Sequence, residues 1–283
     1  MEPNDVRPKS RAEQEGIALK ERPVVLCAGG HDPTGGAGIL ADAEAVQAAA
    51  AFAVTLITAL TEQDTCGLRN MYPQPPEQVE SQCRRLIADS APRALKIGLL
   101  GSSGIVRILS RIIDEHTKLP VVLDPVLATG TGQNLVDAAL LNQLRQHLLH
   151  RCTLITPNLP EARTLTDARS PDECAARLLG AGVRWALITG THDDTEQVTN
   201  RLYGANGVQR TWDWPRLPHA YHGSGCTLAS AIAARLAWGM EMQEAVASAQ
   251  EYTWQALKHA FRTGHCQLTP NRLYHLIPRD HST

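Results

Sequence analysis

From Pro23 onward, short apolar runs alternate with longer amphipathic stretches, and the two follow different periods. The short runs are Val24–Ala28, Val54–Leu60, Ala94–Leu100, Val121–Asp124, Thr153–Thr156 and Trp185–Thr189. Their length and near-continuous apolar character are those of strands buried on both faces. Between them, Glu77–Ile87, Ile105–Asp114 and Asp137–Leu149 repeat their apolar positions at the helical period. This alternation predicts an α/β fold, a mostly parallel central sheet with helices on both faces. Arg201–Tyr203, Asn206-Gly207 and Val208–Trp212 predict a β-hairpin, because Asn-Gly suits a type I′ turn. Two further helices are expected over Cys226–Trp238 and Gln243–Phe261.

The polar residues concentrate where the apolar runs end. Gly30 and Asp32, Gln63 and Asp64, Gly98 and Gly101, Asp124, Asn158 and Glu161, and Gly190, His192 and Asp193 each follow a predicted strand. Ligands of open parallel sheets bind outside the carboxyl ends of the strands, so these tails are expected to line one edge. Two glycine-rich segments belong to that edge. Gly29–Gly38 follows the first strand but lacks the Lys-Ser or Lys-Thr of a P-loop and the spacing of a dinucleotide fingerprint. His222-Gly223-Ser224-Gly225-Cys226-Thr227 opens a helix, where free backbone N–H groups and the helix dipole make an anion site. A cysteine there is expected to have a lowered pKa, as suits a base. Taken alone, the segment fits a helix cap with an inert cysteine equally well; the second glycine-rich segment favours a site.

Composition narrows the function classes. A chain of 283 residues suits one α/β domain, and a formal charge of −2 argues against a nucleic-acid partner. No apolar run is long enough to span a bilayer, so no membrane association is expected. The charged segment 1–22 reads as a flexible tail, and 23–283 as a single domain. Seven scattered cysteines, with no Cys-x-x-Cys pair, suggest neither a disulfide framework nor a zinc site, and therefore a cytoplasmic protein.

Several motifs, in order, carry a resemblance. They are Gly-His-Asp-Pro-Thr-Gly-Gly-Ala-Gly (30–38), Ala41-Asp42, Thr58-Ala59-Leu60 with Gln63-Asp64-Thr65, Lys96-Ile97-Gly98, Leu123-Asp124-Pro125-Val126, Thr156–Ala162 and His222–Thr227. From Pro23 to the last helices the chain resembles the hydroxymethylpyrimidine/phosphomethylpyrimidine kinases of thiamine biosynthesis, within the ribokinase-like superfamily. The resemblance implies ATP-dependent phosphorylation of 4-amino-5-hydroxymethyl-2-methylpyrimidine and its monophosphate, with Mg²⁺. It implies Cys226 as base and Gly223, Ser224, Gly225 and Cys226 as the anion hole. It also implies Gln63, Gly30, Asp42 and Val126 around the pyrimidine, Asn158, Thr189 and Thr191 near the nucleotide, and Glu161 with Asp124 at the metal. A homodimer is expected on the same ground.

The chain departs from the family where lysines are common, at Gly130 and Thr189, and charge stabilisation must then come from elsewhere. His31 and His192 are candidates if protonated. A pyridoxal-type kinase and a non-catalytic pyrimidine-binding sensor are the alternative readings.

Overall fold

A computed structural model describes residues 21–130, 132–191 and 195–276. The 1–20 part of the expected tail, His192 and Asp193 lie outside the described residues. Nine strands form one sheet, ordered β3-β2-β1-β4-β5-β6-β7-β8-β9. The parallel part comprises β1 (Val24–His31), β2 (Phe52–Asp64), β4 (Ala94–Ile97), β5 (Val121–Leu123), β6 (Leu154–Ile155) and β7 (Trp185–Thr189). Antiparallel strands close both edges: β3 (Gly67–Pro73) on one side, β8 (Gln197–Gly204) and β9 (Gly207–Pro215) on the other.

Along β1 the side chains alternate between two apolar layers. Leu26 and Ala28 join the core under α2 (Pro76–Ser90), α3 (Ser103–Glu115), α5 (Leu159–Thr166) and α6 (Pro171–Gly180). Val25 and Cys27 join the layer under α1 (Gly38–Ala48), α7 (Ser224–Ala237) and α8 (Met242–Lys258). Both faces are therefore covered, as the uninterrupted apolar runs require. Between α3 and α5, the expected helix Asp137–Leu149 is α4 (Ala138–Gln143), capped by the Asp137 carboxylate. It continues as a π turn (Leu144–Leu148) and a 3₁₀ turn (Leu149–Arg151).

Three details differ from the sequence expectation. First, β2 runs on through Thr61-Glu62-Gln63-Asp64 and turns back as β3, an edge strand whose side chains are largely in solvent and so lack an apolar signal. Second, the β8–β9 loop is Ala205-Asn206, with Gly207 at φ 83° pairing Gly204. Glycine takes the left-handed conformation one position past the loop, as in a bulged hairpin, so the type I′ turn is not formed.

Third, Cys66 and Cys266 form a disulfide, which corrects the expectation that none is present. It joins the β2–β3 turn to the segment after α8, across 200 residues. Sequence spacing carries no sign of such a long-range pair. Cys27, Cys83, Cys152, Cys174 and Cys226 are free. Cross-links of long loops typically contribute about 2–4 kcal/mol. Cys66→Ser is therefore expected to lower the thermal midpoint in non-reducing buffer, and dithiothreitol to bring the wild type down toward the variant. A midpoint that neither treatment moves would show that the bond contributes nothing.

Candidate active site

The carboxyl ends of β1, β2, β5, β6 and β7 open on one cavity of about 1240 Å³. Gly30, Gln63, Asp124, Val126, Asn158, Glu161, Thr189, Thr191 and Gly223 through Cys226 all border it. Of the residues expected around the pyrimidine, Asp42 alone does not. It is wholly buried on α1, beneath the cavity floor.

Asp42 is bound there to a residue that the sequence reading quoted in a motif but gave no role. Lys96, in the middle of β4, has no solvent exposure, and its Nζ donates to Asp42 Oδ1 at 2.7 Å. Ser230 Oγ donates to the same carboxylate oxygen at 2.7 Å. Lys96 also lies 3.9 Å from Asp124 Oδ2 and borders the cavity. Burial opposes its charge, but Asp42, Cys226 and Asp124 outweigh burial and raise its pKa. A lysine therefore does stand at the site, although not at the two positions where the resemblance placed one. The signal was present: a lone cation inside the four-residue buried strand Ala94-Leu95-Lys96-Ile97 needs a partner.

The two glycine-rich segments meet face to face. Gly223 caps α7 at φ 82°, and a Cβ there would run into the Gly36 carbonyl. Three groups hold this approach. The His222 ring nitrogen Nε2 pairs with Asp32 Oδ2 at 2.7 Å. Asp32 in turn accepts from the backbone N–H groups of Thr34 and Ala37, both at 2.8 Å. Burial works against its ionisation, yet the His222 and Thr34 bonds prevail and lower its pKa. The third group is Arg272, 1 % exposed. Its guanidinium donates to the carbonyls of Gly35 and Gly36, to Glu44 Oε2 at 3.0 Å and to Thr227 Oγ1 at 2.8 Å. Nothing in the sequence around Arg272 announces this role, because the partners of its guanidinium lie at least 45 positions away.

Cys226 stands in the first turn of α7, third after the Gly223 cap. The expectation of a lowered pKa is corrected: its thiol is pushed up to about 12. Burial is the main cause; Lys96 works against it, and the carboxylates of Asp124 and Asp42 add to it. The Gly38 N–H also favours the thiolate. Without ligands the cluster already holds two carboxylates and one ammonium, so a thiolate would add a second uncompensated negative charge.

Asp124 and Glu161 face each other across the next part of the wall. Asp124 is 5 % exposed, burial raises its pKa, and its Oδ2 has no hydrogen-bond partner among the described residues. Glu161 is raised to about 8, by burial first and by Asp124 second. Its Oε2 accepts the Asn158 N–H at 3.0 Å, while Asn158 Oδ1 accepts the Glu161 N–H at 2.9 Å. Together they form a capping box at the start of α5. Asn158 also bridges to Thr189, which brings the ends of β6 and β7 together. The Gln63 side-chain amide makes no hydrogen bond among the described residues, so it is free for a ligand. The Gly130 substitution site is occupied from outside: a Cβ there would lie 2.9 Å from Gln267 Nε2.

A glycine-rich helix start, a thiol in its first turn, two carboxylates and one large cavity at the strand ends are arranged as in a small-molecule kinase of the ribokinase-like fold. Comparison with known proteins narrows this. The chain belongs to the phosphomethylpyrimidine kinase family, whose sequence profile matches residues 32–271. It is 36% identical over 252 residues to the hydroxymethylpyrimidine/phosphomethylpyrimidine kinase of Streptomyces coelicolor, covering 86% of this chain and 91% of that one. Among solved structures it is similar to a Clostridium difficile phosphomethylpyrimidine kinase, with 29% identity and a TM-score of 0.73 over 84% of this chain and 100% of that one. It is also similar to an ADP complex of Bacillus subtilis pyridoxal kinase, with 25% identity and a TM-score of 0.82 over 91% and 100% of the respective chains.

Two outcomes follow from the buried charges. Lys96→Met leaves Asp42 and Asp124 without their cation, and removing one partner of a buried pair costs about 3–5 kcal/mol. Urea denaturation is expected to show a loss of that size; an unchanged midpoint would mean that the pair is not a stabilising one. The second outcome concerns Glu161. Its folded pKa of about 8 lies above its ordinary value of 4.5, so the folded chain binds the extra proton between those values. Its contribution is therefore most favourable at low pH and is lost as pH rises through 8. Glu161→Gln removes this loss, so at pH 9 the ligand-free variant is expected to melt above the wild type. Coinciding wild-type and variant melting curves across pH 5–9 would contradict this.

Proposed function

We propose that this kinase transfers the γ-phosphoryl group of ATP to the hydroxymethyl oxygen of 4-amino-5-hydroxymethyl-2-methylpyrimidine, and then phosphorylates the monophosphate, in thiamine biosynthesis. The observation that carries the reading is the placement of Cys226 inside the Gly223–Cys226 hole with the unpaired Gln63 amide on the same cavity. An amide both donates and accepts, as the edge of an aminopyrimidine requires. Gly30 borders the same cavity, and the packing of Leu99 leaves no room for a Cβ there, which would lie 2.9 Å from Leu99 Cδ2. Val126 adds apolar contact.

In this reading the N–H groups of Gly223 through Cys226 hold the phosphoryl oxygens as charge moves onto them. Cys226 accepts the hydroxymethyl proton as the new O–P bond forms. Lys96 compensates part of the charge that the thiolate brings, and Asn158, Thr189 and Thr191 border the phosphates. Asp124 and Glu161 fit Mg²⁺. Asp124 has an orphaned buried oxygen, and two carboxylates suit a hard cation that keeps several waters and phosphate oxygens. No group of three or more His, Cys, Asp or Glu among the described residues could form an all-protein cage, in agreement with that choice. When bound, the ion would neutralise phosphate charge.

Use of ATP supports a cytoplasmic setting for the protein's work. The exposed Leu60 and Tyr72 near the β2–β3 edge support a homodimer, which sedimentation would separate from a monomer. The fold likeness to pyridoxal kinase favours one second reading, phosphorylation of a pyridoxine-type ring. ADP release with each alcohol in turn ranks the two. With the preferred alcohol, Cys226→Ala is expected to fold, to bind the alcohol as the wild type does, and to turn over ~10²–10⁴-fold more slowly. Wild-type turnover by this variant would remove Cys226 as the base.

A further inference from the structure

The wall formed by β8, β9 and α8 holds a polar group that the chemistry above does not use. Gln250 is 3 % exposed and borders the cavity. Its Oε1 accepts from Asn200 Nδ2 at 2.7 Å and from Trp214 Nε1 at 3.2 Å. An indole N–H can only donate. The Asn200 amide is itself oriented, because its Oδ1 accepts the Gly190 N–H at 3.2 Å. Exchanging O and N in Gln250 would set donor against donor twice, so the chemistry fixes its orientation. Nε2 is left with two hydrogens and no partner among the described residues. A buried donor without an acceptor is costly, and native structures rarely leave one.

The surroundings indicate what the acceptor is. Trp214 and Trp254 stack with their ring centroids 6.1 Å apart, and both border the cavity with Leu257. A flat heteroaromatic group suits such a wall, whereas phosphate charge is met at the Gly223–Cys226 hole. We infer that Gln250 is a specificity residue for the nucleotide, its Nε2 donating to a ring acceptor of the base. Asn200 and Trp214 hold it in position. The inference rests on the reading that ATP occupies this cavity.

Gln250→Glu separates the donor from the scaffold. A carboxylate still accepts from Asn200 and Trp214, but offers an acceptor where Nε2 offered hydrogens. The expected result is a rise in the KM for ATP of roughly five- to a hundredfold. The Kd of the pyrimidine by calorimetry and inhibition by inorganic tripolyphosphate, which has no base, are expected to stay at wild-type values. Gln250→Met removes the donor without charge, should the glutamate variant not fold, and is expected to raise the KM in the same way. An ATP KM within twofold of wild type in the folded variant, or a parallel loss of ATP and tripolyphosphate affinity, overturns the inference. Wild-type protein in the same assay tests the kinase reading independently: if it releases no ADP with either alcohol, that reading fails, whatever the variants do.

Discussion

The ion pair of Lys96 and Asp42 is the constraint on which the rest of the site depends. It joins β4 to α1 inside the layer that α7 covers, and Ser230 ties α7 to the same carboxylate. Three elements that carry three parts of the site are thus held by one buried charge. Such a pair is costly to assemble and more costly to break, because either partner alone is an uncompensated charge in a poorly polarisable medium. The cluster also reaches upward, to Asp124 and to the Cys226 thiol. The pair that fixes the geometry therefore also sets the charge balance in which a proton would move.

That balance explains why the helix N-terminus does not by itself make Cys226 acidic. The dipole and the Gly38 N–H favour the thiolate, but desolvation and two carboxylates oppose it more strongly.

Above this cluster, the glycine-rich helix start is shaped by contacts between distant segments. The Gly36 carbonyl touches Gly223, Asp32 binds His222, and Arg272 donates to both glycine-rich segments. Backbone N–H groups can serve an anion only if their directions are fixed, and a helix start with one left-handed glycine is free to rotate unless it is clamped. The clamp comes from the chain's C-terminal region, whose loop after α8 also meets the β2–β3 turn at Cys66.

The sequence by itself determined most of the strands and helices and which of their ends gather at one cavity. Continuous apolar runs such as Val24–Ala28 can satisfy their side chains only between two layers, and parallel strands so covered leave their polar tails on one edge. Cys226, Gly223, Gln63, Asp124 and Glu161 were legible for that reason, each lying directly after an apolar run or at a glycine-marked helix start. The β3 edge strand was not, since a strand with solvent on both faces has no reason to alternate. The tertiary structure alone decided which groups meet. Asp42 proved to be a support for Lys96 and no part of the cavity wall. Cys66 found Cys266, Arg272 found the glycine loops, and the Cys226 thiol rose in pKa when local pattern said it should fall. Periodicity reports a residue's exposure to its own neighbours in the chain, whereas burial, charge balance and hydrogen bonding depend on residues that folding brings from tens to hundreds of positions away.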